Sequence, residues 1–212
     1  MVLGGDHWIA DRIFAMEGGH WLLRDAWMTS TLMHKGGKWL SAFGTLVVLV
    51  LCFHQWRHGS NRPLRWALLY LVLAVALGTG AVSLLKSLTH MDCPWDLLRY
   101  GGRRPFVGLL QARPAALPAA ACFPAGQASA GYAWVSLYFF ALLWRPAWRW
   151  HGLAIGLLAG IALGLAQQLR GAHFMSHDAA TLIVCWLLSL GLHALTHGYL
   201  QRPSARPAGA RA

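Results

Sequence analysis

The stretch Trp66-Ala-Leu-Leu-Tyr-Leu-Val-Leu-Ala-Val-Ala-Leu-Gly-Thr-Gly-Ala-Val-Ser-Leu-Leu85 carries no Asp, Glu, Lys or Arg and is bounded by Arg65 and Lys86. A helix of about 20 residues rises roughly 30 Å, enough to cross the hydrocarbon of a bilayer. Three more charge-free runs read the same way: Trp39 to Trp56, Trp150 to Leu169 and Ala179 to Gln201. A fifth span is predicted at about residues 128–144, because the earlier part of the uncharged stretch 114–144 is too rich in Pro and small residues for a helix. Trp39, Trp56, Trp66, Trp144 and Trp150 fall at span ends, where amphipathic rings prefer the headgroup region. Composition agrees: 212 residues are 57% hydrophobic and only 12% charged, whereas soluble domains run near 25% charged. That deficit excludes a disordered chain and a coiled coil. The net charge of +11 invites a nucleic-acid reading, but the positives are scattered between apolar runs, so no nucleic-acid partner is expected. The predicted fold is all-α, a polytopic transmembrane helical bundle whose partner is the lipid bilayer.

Five spans place the chain ends on opposite sides. One side carries the connections 57–65 and 145–149 and the tail 201–212, with eight Arg and no carboxylate. The other carries residues 1–38, 86–127 and 170–178, with ten Lys/Arg and all seven acids. Lys/Arg density in short connections marks the cytoplasmic side, so the tail is expected inside and the long loop outside, in a periplasm if the membrane is a bacterial inner one. Residues 1–38 hold no credible span and no signal peptide, and read as an interfacial amphipathic segment punctuated by Gly18-Gly19 and Gly36-Gly37. Cys52 and Cys185 lie in spans; Cys93 and Cys122 share the outer loop, where a bridge and two free thiols stand as equal alternatives. Gly156 and Gly160 are able to pack within the chain or against another subunit, so the oligomeric state is left open.

Polar residues that persist at span ends on one side are the functional hint. Lys86 closes the second span, with His90, Asp92 and Cys93 beyond it. The segment Cys122-Phe-Pro-Ala-Gly-Gln127 leads into the third, and Gln167-Gln168-Leu-Arg170-Gly-Ala-His173-Phe-Met-Ser-His177-Asp178 joins the fourth to the fifth. His173 and His177, four apart, share a helical face. A zinc site needs a third ligand, and Asp178, adjacent to His177, is awkward as one. Lys and Arg beside a neutral imidazole suit an anion better: the cations hold a phosphate while the imidazole attacks it or moves a proton. Backbone N–H groups at the helix start near Ala125 and Gly126 would add donors. Either cation alone is as well explained by snorkelling from a helix end.

Together these segments resemble three blocks of the membrane branch of the type 2 phosphatidic acid phosphatase superfamily. Lys86, six residues and Cys93-Pro94 is similar to the family's Lys, six residues, Arg-Pro. Pro124-Ala125-Gly126-Gln127 is similar to Pro-Ser-Gly-His. Gln167, five residues, His173, three residues and His177 is similar to Arg, five residues, His, three residues, Asp. The resemblance covers about residues 39–200, as a membrane phosphatase domain. It implies an active site outside the cytoplasm, His173 as the nucleophile forming a phosphohistidine, Lys86 on the phosphate oxygens, backbone donors at Ala125 and Gly126, and no metal or organic cofactor. Family members commonly have six spans; a first span missing or unrecognised in this chain would account for the difference.

Four of the departures from the pattern bear on the chemistry. Cys93 and Gln167 stand where the family has Arg, leaving Arg170 and a folded-back Arg103 or Arg104 as substitute phosphate ligands. His177 replaces the Asp that orients the nucleophile, and Asp178 next door is a candidate for that duty. Gln127 stands where the family has the His that protonates the leaving oxygen and then activates water, help typically worth about 10²–10⁴-fold. A deliberate His-to-Gln change that traps substrate is preferred over a natural variant, and impaired turnover is expected. The implied function is hydrolysis of a lipid phosphate or diphosphate, with polyprenyl diphosphate, phosphatidylglycerol phosphate and lipid A phosphate as the family's substrate classes. Phosphotransfer to a second lipid, non-catalytic lipid-phosphate binding or transport, and a small channel or assembly factor are the rivals.

Overall fold

The protein is described by a computed structural model that covers residues 5–201; the expected tail 201–212 lies outside the described residues apart from Gln201. Four helical segments are long and apolar enough to cross a membrane: Met28–His58, Arg62–Asp96, Pro146–Leu169 and Met175–Gln201. Their regular parts are α2 (Gly37–His58), α3 (Arg62–Thr89), α6 (Arg149–Leu169) and α7 (Met175–Gln201), preceded by the short α1 (Gly5–Met16). The expected third span is present as three consecutive pieces: α4 (Gly126–Tyr132), a 3₁₀ turn at Ala133–Val135, and α5 (Ser136–Trp144). The described residues form an all-α bundle, with one isolated bridge between Leu97 and Arg104.

Local chemistry fixes the helix ends. Asn61 caps α3 by accepting from the Leu64 N–H at 3.1 Å, with Pro63 in the first turn, where a missing N–H costs nothing. α3 closes at His90, which takes a left-handed backbone (φ 49°) and ends the helix. The first span starts earlier than its apolar pattern suggested. Helix begins at Met28 and runs through Lys35, Gly36, Gly37 and Lys38, its first nine residues wound as a π-helix. The wide turn tolerates the glycine pair without ending the helix, which is why a boundary drawn at Trp39 was too late.

α4 and α5 occupy the middle of the bundle, against α3, α6 and α7. The main core gathers Tyr70, Leu71, Val75 and Val82 of α3 around Tyr132, Val135 and Phe139, with Cys185 of α7. Tyr70 donates its buried hydroxyl to the Ser189 carbonyl at 3.0 Å. α2 buries only Cys52, leaving Trp39, Leu40, Phe43, Val50 and Phe53 exposed. A helix apolar all round that is not covered by protein suits lipid rather than water.

The glycines of α6 settle the packing alternative left open above. A Cβ at Gly160 would lie 2.1 Å from the Tyr132 ring, and one at Gly156 would lie 2.3 Å from the Val135 nitrogen. A Cβ at Gly131 of α4 would lie 2.3 Å from the Gly160 nitrogen. These residues bring α4 and α6 backbone to backbone inside one chain, as small residues do between membrane helices.

Residues 5–38 do more than lie beside the bundle. Asp6 accepts from the Ser176 N–H at 2.9 Å and from its hydroxyl at 2.6 Å. Phe14 and Trp21 pack on a small cluster of Ala10, Leu97, Tyr100 and Phe174. Trp21 also fills the space over Gly171, whose φ of +68° and lack of a Cβ permit the approach. The segment therefore caps the end of the bundle that carries His173 and the loop after α3.

Gly131→Leu should lower the thermal midpoint sharply or abolish folded yield in detergent, since overpacking typically costs about 1–3 kcal/mol and here the obstacle is backbone. Gly191→Ala, where a Cβ meets nothing within 4 Å, should be neutral or stabilising by up to about 1 kcal/mol.

Candidate active site

The three blocks meet at one end of the bundle. Lys86, in the last turn of α3, lies against the start of α4, where a Cβ on Gly126 would sit 3.4 Å from its Nζ. The Ala125 N–H is engaged by the His177 carbonyl at 3.2 Å and is not available to a ligand. Gly126 and Gln127 open the helix, and first-turn N–H groups have no intrahelical acceptor. Thr181 donates to the Ala125 carbonyl at 3.1 Å and ties this turn to α7. The Phe123–Pro124 peptide is cis.

Cys93 and Cys122 are disulfide-bonded, which decides that alternative. The bond uses the position where the resemblance expected an Arg, so the first block is tied covalently to the second instead of supplying a phosphate ligand there. The neighbouring Cys122 N–H donates to the Met91 carbonyl at 2.9 Å.

His173 is buried in the turn between α6 and α7, its Nδ1 3.4 Å from the Nδ1 of His177. One of the two nitrogens carries the shared proton, and this contact orients the His173 ring. Phe123 and Phe174 pack on His177 at 5.2 and 5.4 Å between ring centroids. Burial holds the His173 imidazole well below its usual value, and positive charge at His177 and Lys86 pushes the same way. The ring is therefore neutral near pH 7, the form in which a nitrogen lone pair is nucleophilic.

Asp178 does not take up the orienting duty expected of it. Its Oδ2 accepts from Gln168 at 2.5 Å and faces α6, where a Cβ on Gly164 would lie 2.6 Å away. One residue along a helix is a rotation of about 100°, which turns Asp178 away from the face His177 presents to His173. Arg104 likewise is held elsewhere: it donates to Asp92 at 2.6 Å, as does Arg113. Arg99 pairs with Asp11, so three Arg of this loop are already paired.

Gln167 is buried at the end of α6, accepts from Arg170 at 3.1 Å, and leaves its Nε2 without a partner. Arg170 also donates through Nε to the Arg24 carbonyl at 2.6 Å and lies over the Trp95 ring. Burial draws this guanidinium below its usual range. Gln127 is the most altered position. Its amide donates to the carbonyls of His34 at 2.7 Å and Met33 at 3.2 Å, while its Oε1 is buried without a partner. The side chain is a clamp on the first span.

That clamp brings in two residues the sequence reading missed. His34 has the charges of Lys38, Arg170 and Lys86 as neighbours. Lys38 is also an electrostatic neighbour of Lys86. The available signal was their four-residue spacing, which puts both on one helical face. Among the described residues, no group of three or more His, Cys, Asp and Glu is arranged to hold a metal ion.

A match to the PAP2 superfamily covers residues 66–200. The chain belongs to this superfamily. Its members are phosphatases acting on phosphate esters, and the general phosphatase class follows for this chain. Comparison with curated proteins and with solved structures returns no match. The superfamily match begins at Trp66, so His34 and Lys38 lie outside it.

A folded-state value depressed at His173 has a definite sign in stability. Below the unfolded value of 6.5 the unfolded chain takes up a proton that the folded chain refuses, so native stability falls as pH falls; above it the group contributes no slope. The unfolding free energy should drop more steeply between pH 6.5 and 5 for the parent than for His173→Gln, with a difference in slope approaching about 1.4 kcal/mol per pH unit.

Proposed function

We propose that this chain is an integral membrane lipid phosphatase that works through a phosphohistidine at His173, in a bacterial inner membrane with the site facing the periplasm. The observation that supports the lipid part is a groove of about 560 Å³ that reaches the Gln127 clamp. It runs between the first span and α6, lined by Leu32, Leu40, Trp134, Ile155 and Leu163. Its near end is Met33 and Gly37, and a Cβ on Gly37 would lie 3.3 Å from the Gln127 amide. A hydrocarbon chain in the groove and a phosphate beside Lys86 fit one ligand that has both.

In this reading, Nε2 of His173 attacks phosphorus while Nδ1 stays on His177. Lys86, Arg170 and the Gly126 N–H stabilise the equatorial oxygens, which gain charge in the transition state. Gln167 turns its unpartnered Nε2 toward the same anion. Gln127 holds the helix that completes the site and cannot exchange a proton, so turnover is slow relative to a chain with an acid at that position. Sidedness is supported by the Arg-rich connections at the opposite end. The family's hydrolase chemistry favours water over a second lipid as acceptor.

The test is phosphate release from polyprenyl diphosphate, phosphatidylglycerol phosphate and lipid A phosphate in detergent micelles. The parent should release phosphate slowly from at least one, and Gln127→His should raise the rate. His173→Ala should abolish both release and the base-stable labelled phosphoenzyme. Binding of all three lipids with no release by parent or Gln127→His would make the protein a lipid-phosphate binder.

A further inference from the structure

The residue read as the nucleophile is covered. His173 is only 7% exposed, and its Nδ1 edge is taken by His177. Asp6, Ile9 and Ile13 of α1 face Gln168, His173 and Met175 across a void too small for a water molecule. A phosphate has no room on this side of His173 while α1 stays where it is. The cover is held at few polar points. The Asp6 carboxylate accepts from the N–H and the hydroxyl of Ser176, in the first turn of α7, at 2.9 and 2.6 Å. Backbone donors in a first turn have no intrahelical acceptor and favour a negative group. Asp11 accepts from Nε and Nη2 of Arg99 at 2.8 and 2.6 Å, in an ion pair open to solvent on both sides. His7 lies 3.3 Å from the Tyr100 hydroxyl. After α1 come Gly18 and Gly19, with φ of +79° and +80°, and then Trp21, seated over Gly171. A Cβ on Gly19 would meet nothing within 4 Å. Two consecutive glycines with room around them let α1 turn while Trp21 stays in place.

We propose that α1 is a lid over His173, hinged at Gly18-Gly19 and latched by Asp6 and Asp11, that swings aside to admit the phosphate. This rests on the phosphohistidine reading above. In the closed form Asp6 stands in for the anion at the start of α7, three residues along the chain from His173. An arriving phosphate competes with that carboxylate for the Ser176 donors, and two negative groups are not held side by side without cost. The phosphate stays and α1 leaves. Only the open form binds substrate, so the apparent affinity is the intrinsic one reduced by the open fraction. The latches therefore act on KM. They touch neither Lys86 nor the Gly126 turn, so the rate at saturation does not depend on them. The exposed Asp11–Arg99 pair holds weakly, as such pairs do. Ala10 and Phe14, packed with Tyr100 and Phe174, bring the lid back after release.

The experiment compares the full-length parent with Asp11→Asn and Arg99→Gln, which open the same latch from its two sides. Hydrogen exchange of the α1 amides is read with and without orthovanadate, a phosphate-shaped probe, and lipid phosphate turnover is split into KM and kcat. In the parent, vanadate should speed exchange along α1. Both variants should show that faster exchange without vanadate and keep the parent's thermal midpoint. Their KM should fall roughly 3-fold, a change within the reach of one exposed ion pair, with kcat unchanged. A contact that serves only the fold would instead lower the midpoint or kcat and leave KM where it was. Unchanged KM in both variants would overturn the lid and leave the phosphatase reading standing. So would α1 amides that stay slow while vanadate inhibits turnover. A parent that releases no phosphate and shows no change in exchange with vanadate would remove the phosphatase reading and the lid with it.

Discussion

Helices α4 and α6 touch backbone to backbone at Gly131 and Gly160, and the site exists because of that contact. A side chain at either position would push α4 outward, and with it Gly126 and Gln127. The close approach lets a short, broken helix occupy the centre of a membrane bundle, with its first turn at the depth of Lys86 and Gln167. α4 and α5 pay for irregularity at the 3₁₀ turn with dense packing of Tyr132, Val135 and Phe139 around them. From this one contact follow the position of the second block, the tether from Cys122 to Cys93, and the clamp on the first span.

Several of the acids at this end already have partners. Asp92 is used by Arg104 and Arg113, Asp11 by Arg99, and Asp178 by Gln168. His173 has Lys86, His34 and His177 as electrostatic neighbours, and buried amide and imidazole atoms that lack partners lie in the same cluster. Such atoms are costly when left dry and unpaired. A phosphate satisfies donors and cations at once, which is why the arrangement reads as prepared for an anion rather than as a structural polar core.

Much of this was legible in the residues. The charge-free runs gave the all-α bundle, because period and length survive any detail of packing, and the order Lys86, Gly126, His173 along the chain named the blocks that meet. The first span's start was misread, since Lys35, Lys38 and Gly36-Gly37 break the apolar pattern that a π-wound helix continues through. That single boundary hid His34 and Lys38. The rotation of Asp178 toward Gly164 was foreseeable as a 100° problem but not its outcome, which depends on Gln168 across the interface. The pairing of Arg104 with Asp92 depends on how the loop folds back at the Leu97–Arg104 bridge. Neither is local in sequence, so periodicity has no hold on it.

The groove beside the first span lies along the sides of helices, with Leu40 and Ile155 exposed at its rim. The lipid phosphate proposed as its ligand would reach it within the leaflet, without passing through water. For such a substrate encounter would be a two-dimensional search, and the concentration that governs saturation would be its mole fraction among the neighbouring lipids. Dilution of the substrate with inert lipid would slow the protein at constant bulk concentration, and the composition of the surrounding leaflet becomes a kinetic variable in its own right.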